Sequence, residues 1–116
     1  MIDPSGQIKG LIIAAPSSRS GKTVLTLGLL RHFSNTGRSI ASAKAGPDYI
    51  DPAYHRAATG SPCYNLDLWA MRPSLLQYAA TLGCNNATVI CEGVMGLFDG
   101  ALMEYGSTAD LAEVTG

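Results

Sequence analysis

Ala15-Pro16-Ser17-Ser18-Arg19-Ser20-Gly21-Lys22-Thr23 is the stretch that decides the fold of this chain. It lies between an apolar run at residues 11–14 and a helix-like run at residues 24–30. A strand, a loop and a helix joined through Gly-Lys-Thr are typical of a phosphate-binding P-loop. In such a loop, successive backbone N–H groups wrap a phosphate, and the helix N-terminus adds the positive end of its dipole. The usual opening glycine is replaced by Pro16, so the prediction depends strongly on the flanking elements.

The predicted nucleotide site is formed by the loop and the first turn of the helix, namely Ser17, Ser18, Arg19, Ser20, Gly21, Lys22, Thr23 and Val24. In a P-loop the lysine reaches the β- and γ-phosphates, and the Ser/Thr hydroxyl ligates Mg²⁺. Lys22 and Thr23 stand at those positions. Arg19 either reaches a phosphate or points to solvent. The alternative to a nucleotide site is an ordinary turn from a loop into a helix.

Length and composition bound the class of protein. With 116 residues, of which 47% are hydrophobic and 15% charged, the chain is one small domain with a packed core. A net charge of −1 argues against nucleic acid or an anionic membrane as the main partner. No apolar run approaches the ~20 residues of a membrane span, and we find no signal peptide. The three cysteines show no C-x-x-C spacing, so we expect reduced thiols in a cytoplasmic protein.

Strand and helix patterns alternate along the chain and predict an α/β fold, a P-loop NTPase-like parallel sheet with flanking helices. We expect strands at residues 8–15, 39–43 and 87–91, the first of them buried on both faces. Helices are expected at residues 21–35 and 73–82, and a last one near residue 108 with Ser107 or Thr108 as its cap. In the first helix, Leu25, Leu29 and Phe33 form an apolar stripe. Three strands make a thin sheet, so the sequence is expected to be truncated after the third strand and the following helix.

The segment at residues 44–52 directly follows the second predicted strand, at the edge where parallel sheets place ligands. Lys44 is therefore expected to bring a cation to the phosphates, and Asp48 a carboxylate to the metal. A polar turn shaped by Gly46, Pro47 and Pro52 explains the segment equally well.

An acidic residue closes the apolar strand at residues 87–91. Glu92 in this position is the Walker B arrangement, which holds Mg²⁺ directly or through water. Gly93, Gly96 and Gly100 would let the backbone pass close to a ligand, and Asp99 lies in the same loop. The alternative is a solvated turn.

Two further features have weaker functional interpretations. The segment at residues 105–110 is either a helix cap or a loop that senses the γ-phosphate or borders the substrate. His32 is expected on the polar side of the first helix. His55 could contact substrate, although a structural role is the preferred interpretation.

Five segments, in this order, closely resemble cobyrinic acid a,c-diamide synthase: residues 15–23, residues 44–52, Tyr64-Asn65-Leu66-Asp67, residues 92–100 and residues 106–112. The resemblance implies an N-terminal ATP-binding domain similar to dethiobiotin synthetase and a C-terminal glutamine amidotransferase domain. It implies amidation of the a- and c-acetate side chains of cobyrinic or hydrogenobyrinic acid in cobalamin biosynthesis, consuming ATP and glutamine through an acyl phosphate.

The resemblance also implies roles for individual residues. Its catalytic residues would be Lys22, Asp48, Glu92 and Asp99. Its Mg²⁺ ligands would be Thr23, Asp48 and Glu92, with Lys44 in the ATP site. Its substrate-bordering residues would be Tyr49, Ile50, Asp99 and Ser107. The implied partners are ATP, a corrin-type tetrapyrrole and the glutaminase domain of the same parent chain, and a homo-oligomer stays open.

No cysteine lies in a Gly-x-Cys-x-Gly elbow like that of the amidotransferase domain. We therefore expect residues 1–116 to be the N-terminal portion of such a synthase, with the glutamine amidotransferase domain absent. We expect the isolated chain to make no amide.

Other interpretations stay open. A synthase that amidates nickel-sirohydrochlorin would look almost identical here, and a dethiobiotin synthetase-type enzyme would share the P-loop and Glu92. A partitioning ATPase is disfavoured because Ser17 stands where those proteins carry their first lysine. A non-catalytic P-loop module is the remaining alternative.

Overall fold

The computed structural model describes residues 8–82, 87–100 and 105–116. Within these ranges, strands and helices alternate as the α/β prediction requires. In chain order they are β1 Gly10–Ile13, α1 Lys22–Asn35, β2 Ile40–Ala45, α2 Asp51–Thr59, β3 Cys63–Leu66, α3 Pro73–Thr81, β4 Thr88–Glu92 and α4 Thr108–Thr115. None of the helices in these ranges is both long and apolar enough to cross a membrane.

The four strands form one parallel sheet in the order β1-β4-β2-β3. Because β4 lies between β1 and β2, its last residue has a partner on both sides. Glu92 stands opposite Ile13 at the end of β1 and opposite Lys44 near the end of β2. The carboxyl ends of these strands, where parallel sheets carry their ligand sites, therefore meet at Glu92.

The expectation of three strands was wrong, because the described part of the chain holds four. The strand expected as the third is β4, and both α2 and β3 were missed. β3 has only four residues and includes Asn65, so it lacks the apolar run that marks a buried strand. The start of α2 was interpreted as a turn because of Pro52, yet proline fits the first turn of a helix.

Two strands differ from their predicted form. β1 is shorter than expected and begins with two exposed residues, because it lies at one end of the strand order. The prediction that it is buried on both faces was therefore wrong. β2 extends to Ala45, so Lys44 lies inside the strand and is buried.

The buried stripe of α1 was predicted one position away from its place. Leu25 is exposed, whereas Thr26 and Leu30 are buried. Thr26 can be buried because its hydroxyl donates to the carbonyl of Lys22 at 2.7 Å, which satisfies the polar group inside the helix. His32 is exposed, as predicted.

The helices pack in pairs, with α1 against α2 and α3 against α4. The main buried cluster includes small residues from β2, Ala41, Ala43 and Ala45, and larger ones from α3 and α4, Leu76 and Leu111. The predicted cap of α4 is confirmed: Ser107 is the N-cap residue. The core thus supports a sheet whose carboxyl edge carries the loops that follow β1, β2 and β4.

Candidate nucleotide and metal site

The predicted P-loop, residues 15–23, lies between β1 and α1, and two of its residues have left-handed backbone conformation. Arg19 has φ 59° and Gly21 has φ 85°. Gly21 adopts this conformation readily because it has no Cβ, whereas a non-glycine residue such as Arg19 adopts it at a cost of about 1–2 kcal/mol. Gly21 is the N-cap residue of α1, and no side chain in the described part of the chain caps that helix. The first N–H groups of α1 therefore face the loop without a side-chain acceptor.

Six of the residues predicted to bind nucleotide line one open cavity. Residues 19–24 line an open cavity of about 250 Å³. The Ser20 hydroxyl donates to the Ser17 carbonyl at 2.8 Å and holds the loop closed on itself. The Lys22 ammonium folds over the loop and donates to the same carbonyl at 3.5 Å. An ammonium beside exposed backbone groups at a helix N-terminus is an arrangement suited to binding a phosphate.

Glu92 is the centre of a buried polar cluster behind the P-loop. Its side chain is 1% exposed. Its Oε1 accepts a hydrogen bond from the Thr23 hydroxyl and lies 3.6 Å from Lys44 Nζ. Its Oε2 lies 2.7 Å from His55 Nε2. The structure therefore brings together Thr23, Lys44 and Glu92, which the sequence placed in the site, and adds His55.

Lys44 does not line the P-loop cavity. Its ammonium donates to the Gly93 carbonyl at 2.8 Å and lies 3.4 Å from Asp51 Oδ2. Only 5% of the side chain is exposed. Lys44 thus compensates the two nearby carboxylates, Asp51 and Glu92, from inside the protein.

The charges of this cluster shift one another's pKa values. Burial acts to raise the pKa of Glu92, but hydrogen bonds from His55 and Thr23 and the charge of Lys44 outweigh it and lower that pKa. Burial acts to lower the pKa of His55, yet its contacts with Cys63 and Glu92 raise it to about 9. Both shifts favour the charged forms, a carboxylate on Glu92 and an imidazolium on His55.

Asp48, which the sequence predicts as a metal ligand, and Asp51 have different contacts in the structure. Asp48 Oδ1 accepts from the backbone N–H groups of Ile50 and Asp51, at 2.8 and 3.1 Å, and so stabilises the start of α2. Burial acts against ionisation of Asp48, but these hydrogen bonds prevail and lower its pKa. Asp51 is the carboxylate of this segment that reaches Lys44, and burial and the charge of Glu92 raise its pKa.

Sequence reasoning did not select Asp51 or His55 as site residues. They lie four positions apart on α2, and residues at this spacing share one face of a helix. That spacing did not mark them as site residues, because α2, the helix that gives the spacing its meaning, was not predicted.

The residues predicted to border the substrate differ in their surroundings. Tyr49 and Ile50 are exposed at the carboxyl edge of the sheet. Asp99 is also exposed, and its Oδ2 accepts from the Gly96 N–H at 2.9 Å. Ser107 is buried, and its hydroxyl exchanges hydrogen bonds with Asp110, accepting from the N–H at 3.1 Å and donating to the carboxylate at 2.7 Å. Ser107 thus serves as the helix cap, and Asp99 stabilises its own loop.

Glycines after β4 allow that loop to pack on the P-loop. A Cβ added to Gly96 would lie 2.6 Å from the carbonyl oxygen of Pro16, closer than real Cβ contacts. The backbone N–H of Leu97 donates to the Ala15 carbonyl at 2.8 Å. The sequence predicted that the backbone of this loop passes close to a ligand. In the structure it passes close to the P-loop backbone, so the two loops support each other.

The donor atoms at this site are those that Mg²⁺ prefers. The described residues contain no group of three or more His, Cys, Asp or Glu side chains that could hold a metal ion. Mg²⁺ in phosphate sites takes one or two protein oxygens and completes its shell with phosphates and water. The hydroxyl of Thr23 and the carboxylate of Glu92 are hard oxygen donors in direct contact, so the residues present fit such an ion.

The chain is similar to several proteins named hydrogenobyrinate a,c-diamide synthase. The chain is 57% identical to that of Rhizobium meliloti (strain 1021) over 110 residues, which cover 94% of this chain and 26% of the relative. It is 55% identical to that of Brucella ovis over 109 residues and 49% identical to that of Agrobacterium fabrum over 110 residues. These alignments cover 92% and 91% of this chain and 25% of each relative.

The resemblance inferred from the five segments is thereby confirmed for the region that aligns. The chain spans about a quarter of the length of these relatives. No protein-family model matches the chain, and no solved structure matches it.

Proposed function

We propose that this chain is the nucleotide-binding part of a hydrogenobyrinate a,c-diamide synthase, in which ATP activates a substrate carboxylate and ammonia from glutamine converts it to an amide. One observation carries the proposal: the hydroxyl of the P-loop residue Thr23 is hydrogen-bonded to the carboxylate that closes β4, Glu92. The alignment with the named synthases covers 91–94% of this chain at 49–57% identity, and it supports the choice of substrate class.

In the proposed reaction, an acetate carboxylate of the tetrapyrrole attacks the γ-phosphorus of ATP. The bond from that phosphorus to the bridging oxygen breaks, ADP leaves, and an acyl phosphate forms. Ammonia then attacks the acyl carbon, inorganic phosphate leaves, and the nitrogen loses a proton as the amide forms. The attacking carboxylate is already ionised, so the protein's task is to position groups and to neutralise charge.

The residues of this chain would share that task as follows. Lys22 and the N–H groups at the start of α1 would hold the β- and γ-phosphates. Thr23, Glu92 and Asp48 are the proposed Mg²⁺ ligands, and the ion would offset the negative charge of the phosphates. Lys44 offsets the negative charge of Glu92 and Asp51 behind the loop. This division of charge leaves Lys22 and Arg19 as the cations on the phosphate side of the site.

Tyr49, Ile50 and Asp99 are the proposed substrate-bordering residues, because all three are exposed at the carboxyl edge of the sheet. Ser107 would act on the substrate only through the position of α4, since its hydroxyl is used in the cap. We further propose that ammonia comes from a glutaminase domain elsewhere in the parent protein, that the reaction takes place in the cytoplasm, and that these 116 residues alone form no amide.

A chimera tests this function. Residues 1–116 would replace the aligned quarter of the Rhizobium meliloti synthase, and the product would be sought by mass spectrometry after incubation with Mg-ATP, glutamine and hydrogenobyrinic acid. We expect the diamide from the chimera and none from its Lys22→Ala variant, while Lys9→Ala, an exposed lysine away from the loop, should match the parent chimera.

The same assay with cobyrinic acid or nickel-sirohydrochlorin in place of hydrogenobyrinic acid identifies which tetrapyrrole is the substrate. A chimera that purifies as a folded protein but forms no amide with any of the three, while the unmodified synthase is active, would contradict the proposal. Preference for nickel-sirohydrochlorin would instead favour the related synthase.

A further inference from the structure

A chain of polar contacts runs through the interior from β3 to the P-loop. Cys63 Sγ on β3 lies 3.4 Å from His55 Nδ1 on α2. His55 Nε2 lies 2.7 Å from Glu92 Oε2 on β4, and Glu92 Oε1 accepts from the Thr23 hydroxyl on α1. Four side chains on four elements are thus linked in series, and the last of them is the P-loop threonine.

The direction of the hydrogen bonds follows from the chemistry of the groups. An ionised carboxylate only accepts, so His55 Nε2 donates to Glu92 Oε2. The two oxygens of Glu92 then have separate donors, His55 on one side and Thr23 on the other. A carboxylate held at both oxygens cannot rotate about its last torsion without breaking one bond. Its orientation therefore fixes that of the Thr23 hydroxyl.

Burial makes this constraint effective. His55 is fully buried and Glu92 is 1% exposed, so water cannot easily replace a lost donor. The other partner of His55, Cys63, contacts the opposite ring nitrogen and so limits rotation of the imidazole. Ligand side chains at metal sites are commonly oriented by outer partners of this kind.

We propose that His55 is a positioning residue of the nucleotide site, which holds Glu92 so that its carboxylate fixes the orientation of the Thr23 hydroxyl. The positioning itself is a property of this chain. Its consequence for Mg-ATP rests on the proposed function. A histidine that merely filled the core would affect folding stability without setting the geometry of Thr23.

Three substitutions separate these roles. His55→Gln keeps an amide N–H near the position of Nε2, so it preserves a donor to Glu92. His55→Asn places its amide near the position of Nδ1, so it leaves Glu92 Oε2 without that donor. His32→Asn changes an exposed histidine on α1 and serves as the matched control.

The first measurement needs no nucleotide. The Thr23 hydroxyl proton and the Thr23 side-chain shifts would be followed by NMR in the metal-free 116-residue chain. We expect the hydrogen-bonded hydroxyl signal in the wild type, in His55→Gln and in His32→Asn, and its loss in His55→Asn. An unchanged Thr23 signal in His55→Asn would overturn the positioning role. If His55→Asn does not fold, Cys63→Ala provides the second variant, with a shifted Thr23 signal expected and an unchanged one contradicting the proposal.

The second measurement is the Mg²⁺ dependence of ATP binding, by calorimetry at fixed nucleotide. His55→Asn should weaken the apparent Mg²⁺ affinity by about 10- to 100-fold, the usual effect of losing an outer partner of a metal ligand. His55→Gln should stay close to the wild type. Equal losses in both variants would assign His55 to core packing alone and overturn the proposal. If the wild type binds no Mg-ATP, the proposed function fails, while the NMR result still decides the positioning role.

Discussion

Replacing Lys44 by methionine tests whether the charge cluster behind the P-loop is balanced as the structure indicates. The cluster contains two cations, Lys44 and His55, and two carboxylates, Asp51 and Glu92. Methionine keeps most of the length of the side chain but removes the ammonium. Asp51 and Glu92 would then face only the His55 cation, and the Gly93 carbonyl would lose its donor at 2.8 Å.

The expected loss is large for a protein of this size. Removing one partner of a buried ion pair costs about 3–5 kcal/mol, because the other charge stays buried without compensation. Two features point to the lower end of that range: His55 still pairs with Glu92, and 22% of the Asp51 side chain is exposed to water. We therefore expect Lys44→Met to lower the free energy of unfolding by about 3 kcal/mol, out of a typical 5–15 kcal/mol.

Urea unfolding followed by circular dichroism measures this change. Lys9→Met, an exposed lysine beside β1, is the matched control and should change stability by at most about 0.5 kcal/mol. In a double-mutant cycle, Lys44→Met combined with Glu92→Gln should cost less than the sum of the single changes, by about 0.5–3 kcal/mol. Additive effects, or a Lys44→Met loss no larger than that of Lys9→Met, would refute this reasoning.

Two further predictions concern the backbone of the site and the cap of α4. Gly21→Ala should lower the free energy of unfolding by about 1–2 kcal/mol because the φ of Gly21 is 85°, although a Cβ there meets no atom within 4 Å. The matched control Gly28→Ala, inside α1, should raise the free energy of unfolding by about 0.5–1 kcal/mol. Thermal unfolding measures both changes, and changes of the same sign would contradict this prediction. Hydrogen bonds from Ser107 lower the pKa of Asp110 in the folded protein below its ordinary value of 3.8. The stability that the ionised Asp110 gives the cap is therefore fully present above pH 3.8, and it is lost as the pH falls through the lower pKa of the folded state. Urea unfolding as a function of pH should show this acid loss in the wild type and a smaller one in Asp110→Asn, and identical acid dependence would remove Asp110 from the cap.

The sequence predicted the site best where one local pattern determines the geometry. Glu92 was placed correctly because an acidic residue that follows an apolar strand stands at the carboxyl edge of the sheet. A cap at Ser107 or Thr108 was predicted, and Ser107 is the N-cap residue, because the cap is formed within four residues of the sequence. In both cases the neighbours in sequence are the neighbours that matter in space.

Predictions that needed long-range contacts were less successful. Lys44 was assigned to a loop, yet pairing with β4 and β3 extends β2 to Ala45 and buries its side chain. His55 was missed as a site residue because its partner Glu92 lies 37 positions away and α2 was not predicted. No local sequence pattern predicts that the buried face of α2 packs against the end of β4.

Calorimetric titration of the 116-residue chain with Mg-ATP tests whether the predicted P-loop binds nucleotide through Lys22. The account predicts measurable binding by the wild type and a loss of about 1.5–3 kcal/mol in Lys22→Ala, the value of a charge-assisted hydrogen bond. Lys9→Ala should bind as the wild type does. Absence of binding by the folded wild-type chain, or equal affinities of the wild type and Lys22→Ala, would contradict the account.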